Sequence, residues 1–328
     1  MKVFEVAVLI ATYQPDWHKL RATLCSVLKQ RGVKMQIVIT DDGSVDNCFT
    51  LINDYMNEYN FHDFTLVGNN ENKGTVANVL NGLYAVKAEY VKIISPGDLL
   101  YDELTLEKWM KFVIDNNAEI TFSKAVFYRP LSNDTFAIVK HEHHPNNMRA
   151  YLQPLSYIDR VITYILLEDG ISGATVLLKR DTLMKYMKIL VGRVIYAEDI
   201  FMRLAILEKI DIKYYPVPGI WYEYGNGGIS TTPGKTWCER LRKDAYEMGK
   251  ICLERYSGGD ERIIDILNEH CCRNATIRQP GWKKRLKYLK HPRWWYWERY
   301  RRMFVTYAPI PKNVDFLRIC FKYRGDER

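Results

Sequence analysis

Long apolar runs are absent from this 328-residue chain. Nothing approaches the roughly eighteen continuous apolar residues of a spanning helix, so any membrane contact is expected to be peripheral. Paired-cysteine motifs are missing as well. The 7 cysteines are odd in number and scattered as Cys25, Cys48, Cys238, Cys252, Cys271, Cys272 and Cys320, without a CxxC or a zinc-ligand spacing. That argues against a disulfide framework or a structural zinc and for a reduced, cytosolic protein. There is no internal repeat and no low-complexity linker, and 47% hydrophobic with 26% charged residues excludes a mainly disordered chain. Glu5 interrupts the apolar start MKVFEVAVLIATY and no small-residue cleavage site follows, so the segment reads as a first strand, not a signal peptide. The net charge of +8 admits nucleic acid, anionic membrane or anionic substrate without choosing among them.

What is present alternates. Val6 to Ile10 is continuously apolar, as in a strand covered on both faces, and Asp16 can cap a helix carrying Trp17, Leu20, Leu24, Val27 and Leu28, with Gly32 as its stop. A strand from Met35 to Thr40 delivers Asp41 and Asp42, and a helix with Phe49, Ile52, Tyr55 and Met56 follows. A third strand, Phe64 to Val67, leads through Asn72-Lys73-Gly74 to a helix with Val76, Val79, Leu80, Leu83 and Val86 inward. Strand and helix alternation with short links predicts a parallel doubly wound sheet over about the first hundred residues.

The stretch Tyr90 to Asp102, YVKIISPGDLLYD, organises the rest. Its apolar run breaks at Pro96-Gly97 and presents Asp98 at the strand's C-terminal end, the edge where open α/β sheets bind ligands. Beyond a helix near Leu106 to Asn116, Glu119 to Arg129 reads as one strand and Pro130 to Asn147 as a polar insertion. Gly170 to Leu178 opens another strand, Glu198-Asp199 starts a helical stretch, Lys213 to Tyr224 is strand-like, and the chain from Lys235 onward is helical and polar. A lone Asp at any of these places is an ordinary cap; four carboxylates at element ends, Asp42, Asp98, Glu198 and Asp199, are less ordinary.

Tyr13 after the first strand, Asp41-Asp42-Gly43-Ser44 after the second, Asn72-Lys73-Gly74, Pro96-Gly97-Asp98 and Glu198-Asp199 occur in an order and spacing that resembles the inverting family 2 glycosyltransferases of GT-A fold. The resemblance spans about the first 230 residues and implies an α/β GT-A domain: a mostly parallel, Rossmann-like central sheet flanked by helices, with a helical C-terminal extension. It divides the chain into a nucleotide-sugar-binding half (1–118), an acceptor-binding half of the same domain (119–234) and a basic-aromatic extension (235–328).

By the same resemblance Ala11, Thr12 and Tyr13 lie along the nucleobase, Asp42 beside Asp41 accepts a hydrogen bond from it, and Lys73-Gly74 lies near the diphosphate. The alternative for Lys73 is a solvated turn lysine. The family's Asp-x-Asp metal motif has become Ser95-Pro96-Gly97-Asp98 here, leaving Asp98 as the one carboxylate for Mn²⁺ or Mg²⁺. Asp199 is implied as general base with Glu198 beside it, each raising the other's pKa; the plainer alternative is a helix N-terminal pair. Trp221 and Tyr222, with Gly227, Gly228 and Ser230 in a donor-closing loop, complete the implied acceptor site.

The implied activity is transfer of a hexosyl or N-acetylhexosaminyl group from a nucleotide sugar, a UDP-sugar first, to a glycan or lipid-linked acceptor in surface-polysaccharide biosynthesis. The alternatives are a nucleotidyltransferase or NTPase and a catalytically inactive membrane- or glycan-binding relative. For the NTPase, Gly228 to Thr236 reads GISTTPGKT, one residue out of P-loop spacing, with no Walker-B-like strand after it. His141-Glu142-His143-His144 lacks a spaced partner and reads as a solvated loop. Trp282 to Phe304 interleaves Lys and Arg with Trp and Tyr around a single acidic residue, Glu298. It suits an anionic membrane surface, contacted through 281–307 on the cytoplasmic face, or a plain packed helix; nucleic acid is not expected.

Overall fold

The computed structural model describes residues 4–132, 135–141, 143–152, 155–225, 235–275, 286, 288–303 and 305–322. The first half builds β1 (Val6–Thr12), α1 (Trp17–Leu28), β2 (Met35–Asp41), α2 (Phe49–Glu58), β3 (Phe64–Gly68), α3 (Thr75–Ala85), β4 (Tyr90–Ile94), β5 (Leu99–Leu100) and α4 (Thr105–Asp115). After β6 (Ile120–Phe122), β7 (Ala125–Pro130) and β8 (Phe136–Val139) come α5 (Arg149–Leu152), α6 (Tyr157–Val161), β9 (Val176–Lys179) and α7 (Arg180–Leu190). Then follow a 3-10 turn at Glu198–Phe201, α8 (Met202–Leu207), β10 (Ile212–Tyr214) and β11 (Ile220–Glu223). Four helices close the described chain: α9 (Lys235–Arg255), α10 (Glu261–Asn274), α11 (Pro292–Met303) and α12 (Val314–Phe321).

Seven strands form the main sheet in the order β10-β6-β9-β4-β1-β2-β3, and β9 alone runs against its neighbours β4 and β6. Every residue of β1, β2 and β4 is buried, which explains their unbroken apolar character: helices cover both faces and neither face alternates with solvent. α3 comes so close that a Cβ on Gly82 would lie 2.5 Å from Leu9 Cδ1. Asp16 caps α1, accepting from the His18 and Lys19 amides, as its place in the sequence predicts. The helix stops at Leu28 without needing Gly32, which turns at φ +71° farther on.

The second half corrects three expectations. Glu119 to Arg129 is two strands, and the chain leaves the main sheet after Phe122 to start β7 in a smaller sheet ordered β5-β11-β7-β8. Lys213 to Tyr224 divides in the same way, between β10 and β11. The crossing at Gly219 is tight, since a Cβ there would meet the Trp109 ring at 2.3 Å. The polar insertion holds strand β8, and His143 in it is buried, its Nε2 accepting the Ala125 amide at 2.7 Å. His143 is therefore packed structure, not part of a solvated loop, whereas His144 beside it is exposed.

The C-terminal region is less polar in its packing than in its composition. Met248, Ile251 and Cys252 of α9, Ile263, Ile266 and Leu267 of α10, and Trp294, Trp297 and Tyr300 of α11 join the core that contains Leu9, Val91 and Phe201. α12 folds back on α1: Phe316, Leu317, Cys320 and Phe321 pack with Ala22 and Cys25, while Arg21 donates to the Phe321 and Lys322 carbonyls at 2.7 and 3.1 Å. All seven cysteines are free thiols, and Cys238, in the first turns of α9, is exposed.

Candidate active site

The ends of β1 and β2 are wired together by side chains. Asp41 accepts from the Thr12 hydroxyl (2.9 Å) and from the Ser44 hydroxyl (2.7 Å) and amide (2.8 Å). Asp42, also buried, accepts from the Lys73 and Gly74 amides (2.9 and 2.8 Å) and from Asn69 Nδ2 (2.9 Å), so it fixes the Asn-Lys-Gly loop that opens α3. Gly74 turns at φ +90° with Ile195 packed where a side chain would stand. Asn78 ties the two strand ends, donating to the Thr12 and Thr40 carbonyls at 3.1 Å each. Ala11 is buried above them, Tyr13 is 52% exposed at the rim, and the Lys73 ammonium is exposed with Glu71 at 3.8 Å.

Asp98 sits on a turn braced by two other elements and by its own carboxylate. Thr23 of α1 accepts the Gly97 amide at 3.0 Å, Tyr128 of β7 donates to the Gly97 carbonyl at 2.5 Å, and Asp98 takes the Ser95 amide at 3.2 Å. Gly97 is required at φ +98°: a Cβ would stand 2.4 Å from Glu223 Oε2, whose carboxylate pairs with Lys19 at 2.7 Å. Burial pushes the Asp98 carboxyl up to about 7 against the Ser95 amide and Lys92, with the Glu223 charge adding to the rise. Lys92 is wholly buried in β4 and donates to the Ala174 and Ile93 carbonyls. Burial brings its ammonium down to about 7, opposed by Asp98.

Glu198 and Asp199 open the 3-10 turn beyond α7 and are half-buried. The Gly173 amide donates to Asp199 at 3.1 Å, and a Cβ on Gly173 would meet Glu198 Oε1 at 2.8 Å. Both carboxyls are pushed up, first by desolvation. Glu198 is raised further by the charges of Asp199, Asp98 and Asp244, whereas Asp199 is drawn back by the Gly173 amide, Arg203 and His144. Two adjacent carboxyls raised together favour a proton held within the pair. The two sides of the site touch, because the Val76 amide at the head of α3 donates to the Ile195 carbonyl at 3.1 Å, just ahead of this pair.

Trp221, expected to line the acceptor site, is fully buried, stacked on Tyr101 with its indole N–H on the Tyr101 carbonyl at 3.0 Å. Tyr222, half-buried, meets Phe127 edge-on. Gly227, Gly228 and Ser230 lie outside the described residues. The sequence reading passed over Asn78, Lys92, Tyr128, Gly173 and Glu223; only Lys92, a lysine inside an apolar strand, carried a local signal.

Among the described residues no three His, Cys, Asp or Glu side chains converge to hold a metal ion. Asp98 supplies a hard oxygen, so its turn suits only a Mg²⁺- or Mn²⁺-like ion that takes most of its shell from phosphate oxygens and water.

Comparison with known proteins settles the family. The profile described as Glycosyl transferase family 2 matches residues 7–180, more than half of the chain. The chain belongs to glycosyl transferase family 2. Its fold is GT-A, like that of S. aureus TarS 1-349 in complex with UDP-GlcNAc, which is 17% identical over 88% of this chain and 78% of that one, with a TM-score of 0.54. The TarS 1-349 complex with UDP gives 17% identity, 83% and 72% coverage, and a TM-score of 0.52. The mannosyltransferase PcManGT from Pyrobaculum calidifontis, in complex with GDP-Man and Mn2+, gives 14%, 82% and 70%, and 0.53. No curated protein matches the sequence. The matched family segment ends before Glu198, so the acidic pair rests on geometry and on its place in the chain.

Proposed function

We propose that this family 2 member is an inverting glycosyltransferase that moves a sugar from a nucleoside diphosphate donor, a UDP-sugar first, to a hydroxyl of a glycan or lipid-linked acceptor in surface-polysaccharide assembly. What supports the reading is the family match over residues 7–180 together with the Glu198-Asp199 pair, where the Gly173 amide donates to the Asp199 carboxylate at 3.1 Å. Asp199 takes the acceptor proton as the acceptor oxygen bonds to the anomeric carbon from the face opposite the diphosphate. The bond from that carbon to the diphosphate breaks, and configuration inverts.

Thr12 and Tyr13 at the end of β1 offer the nucleobase its contacts, and Asp42 acts by holding the loop that carries Lys73. The Lys73 amide is already committed to Asp42, so the ammonium is what this residue offers a diphosphate. Asp98 would hold the divalent ion, which when bound supplies Lewis-acid stabilisation of the departing diphosphate.

The exposed face of α11 supports peripheral contact with an anionic membrane, at its cytoplasmic side. Trp295, Tyr296, Arg299 and Met303 point to solvent, followed by exposed Tyr307 and Ile310, with exposed Lys290 just ahead of the helix. Aromatic rings and cations on one face suit headgroup depth, and an acceptor carried on lipid would be presented there.

The deciding experiment is turnover of UDP-GlcNAc, UDP-glucose and GDP-mannose by the full chain with Mn²⁺, comparing wild type with Asp199→Asn. A loss of about a thousandfold or more with the fold intact is expected for a general base that also orients the acceptor. Full activity in the variant would remove Asp199 from the mechanism. Turnover of none of the three by wild type, with no thermal stabilisation by any, would favour the inactive relative that the single-carboxylate turn makes the second reading.

A further inference from the structure

We propose that Asp244, on α9 in the C-terminal region, is a positioning residue that sets the catalytic pair from behind. This rests on the reading of Asp199 as general base. Asp244 is 2% exposed and its carboxylate accepts three successive backbone amides: Ile195 at 3.1 Å, Tyr196 at 2.7 Å and Ala197 at 3.0 Å. Those are the three residues directly ahead of Glu198 and Asp199. Three amides converging on one buried carboxylate fix the backbone direction at the point where the 3-10 turn begins, and therefore where the next two side chains project.

The same segment is gripped by two further contacts from α9. Trp237 meets the Tyr196 ring edge-on at 5.6 Å, and the Arg240 guanidinium lies over both rings, at 5.3 Å from Tyr196 and 4.8 Å from Trp237. On its other side Ile195 accepts the Val76 amide and packs against Gly74, which Asp42 holds. Residues 195–197 thus form a strap between the donor loop and α9, and Asp244 is its anchor. α9, like the acidic pair itself, lies outside the matched family segment.

The test uses the full chain, with nucleotide release from UDP-GlcNAc or GDP-mannose as the activity and hydrogen exchange across 190–200 as a measure that needs no substrate. Asp244→Asn keeps size but turns a donor toward amides that need an acceptor. It should lower kcat by about ten- to a hundredfold with donor KM within about twofold, and speed exchange at 195–197 while other protected amides hold. Asp244→Glu should recover part of kcat. Because Asp244 works through Asp199, Asp199→Asn with Asp244→Asn should be no worse than Asp199→Asn alone.

An unchanged kcat in Asp244→Asn, or a fully additive double variant, overturns the anchor while leaving the base assignment standing. Full activity in Asp199→Asn instead removes the base assignment, and with it the anchor's catalytic role, whatever exchange reports. Should Asp244→Asn fail to fold, Trp237→Ala, at a half-buried position, loosens the same strap; a several-fold fall in kcat supports the proposal and no change overturns it.

Discussion

Asp98 shows how one residue is asked for opposite things. Its carboxylate is useful as a charge, yet burial has raised it to about 7, so the folded state disfavours that charge. A carboxyl raised in the folded state makes the protein lose stability as pH climbs through the interval between the unfolded and folded values, here from about 4 to 7. Asp98→Asn should therefore melt no lower than wild type at about pH 8 in calorimetry, while nucleotide-sugar turnover falls by orders of magnitude. Lys92 has the reverse sign. Its folded value of about 7 lies below the ordinary 10.5, so the unfolded chain binds more protons between these limits and the lysine's penalty is relieved as pH rises. Lys92→Met should flatten the rise in stability across that window, read from urea melts at several pH values. At this scale the sequence told half the story. Asp98 was legible because Pro96-Gly97 ends an apolar run just before it, whereas Glu223 and Tyr128 reach the same turn from strands of another sheet, a proximity no local pattern encodes.

The elements divide by sheet. The first hundred residues were readable because each strand there is buried on both faces and each helix carries one apolar stripe, so period and punctuation agree. β6 and β7 defeated the same approach: two residues separate them, both are apolar, and only the packing of Trp109 and Gly219 places them in different sheets. The acidic pair was legible as a motif and illegible as a geometry, since its orienting groups, Gly173 and Asp244, come from elsewhere in the chain. α12 depends on contacts with α1 that span nearly the whole sequence. Leu317 is fully buried in that contact, so Leu317→Ala should destabilise the protein by about 2 to 5 kcal/mol in chemical denaturation. Activity should fall with it, because α1 also supplies Thr23 to the Asp98 turn.

Across the whole molecule, the basic-aromatic segment is put to two uses. Trp294, Trp297 and Tyr300 are structural, and Trp297 shares Asp159 with Arg293. Trp295 and Tyr296 are each more than half exposed, Tyr296 also meeting the Trp297 and Tyr300 rings at 5.3 and 6.0 Å. Replacing Trp295 and Tyr296 by Ala together should weaken binding to anionic vesicles about tenfold or more in sedimentation, leaving the melting temperature and binding to neutral vesicles nearly unchanged. Equal binding by the double variant would end the membrane reading. Composition pointed to this segment as a whole; only the helical phase of α11 separates the rings that pack from those that face outward.

The distribution of thiols gives the molecule a built-in place for a reporter. Cys25, Cys48, Cys252, Cys271 and Cys320 are buried, Cys272 is partly covered, and Cys238 alone is open to solvent. It stands six residues before Asp244 on the same helix, about 9 Å along its axis. With Cys272 changed to Ala, a maleimide spin label or dye would attach at a single point on α9, beside Trp237, and its rotational freedom would register sugar-nucleotide binding from the outside of the fold.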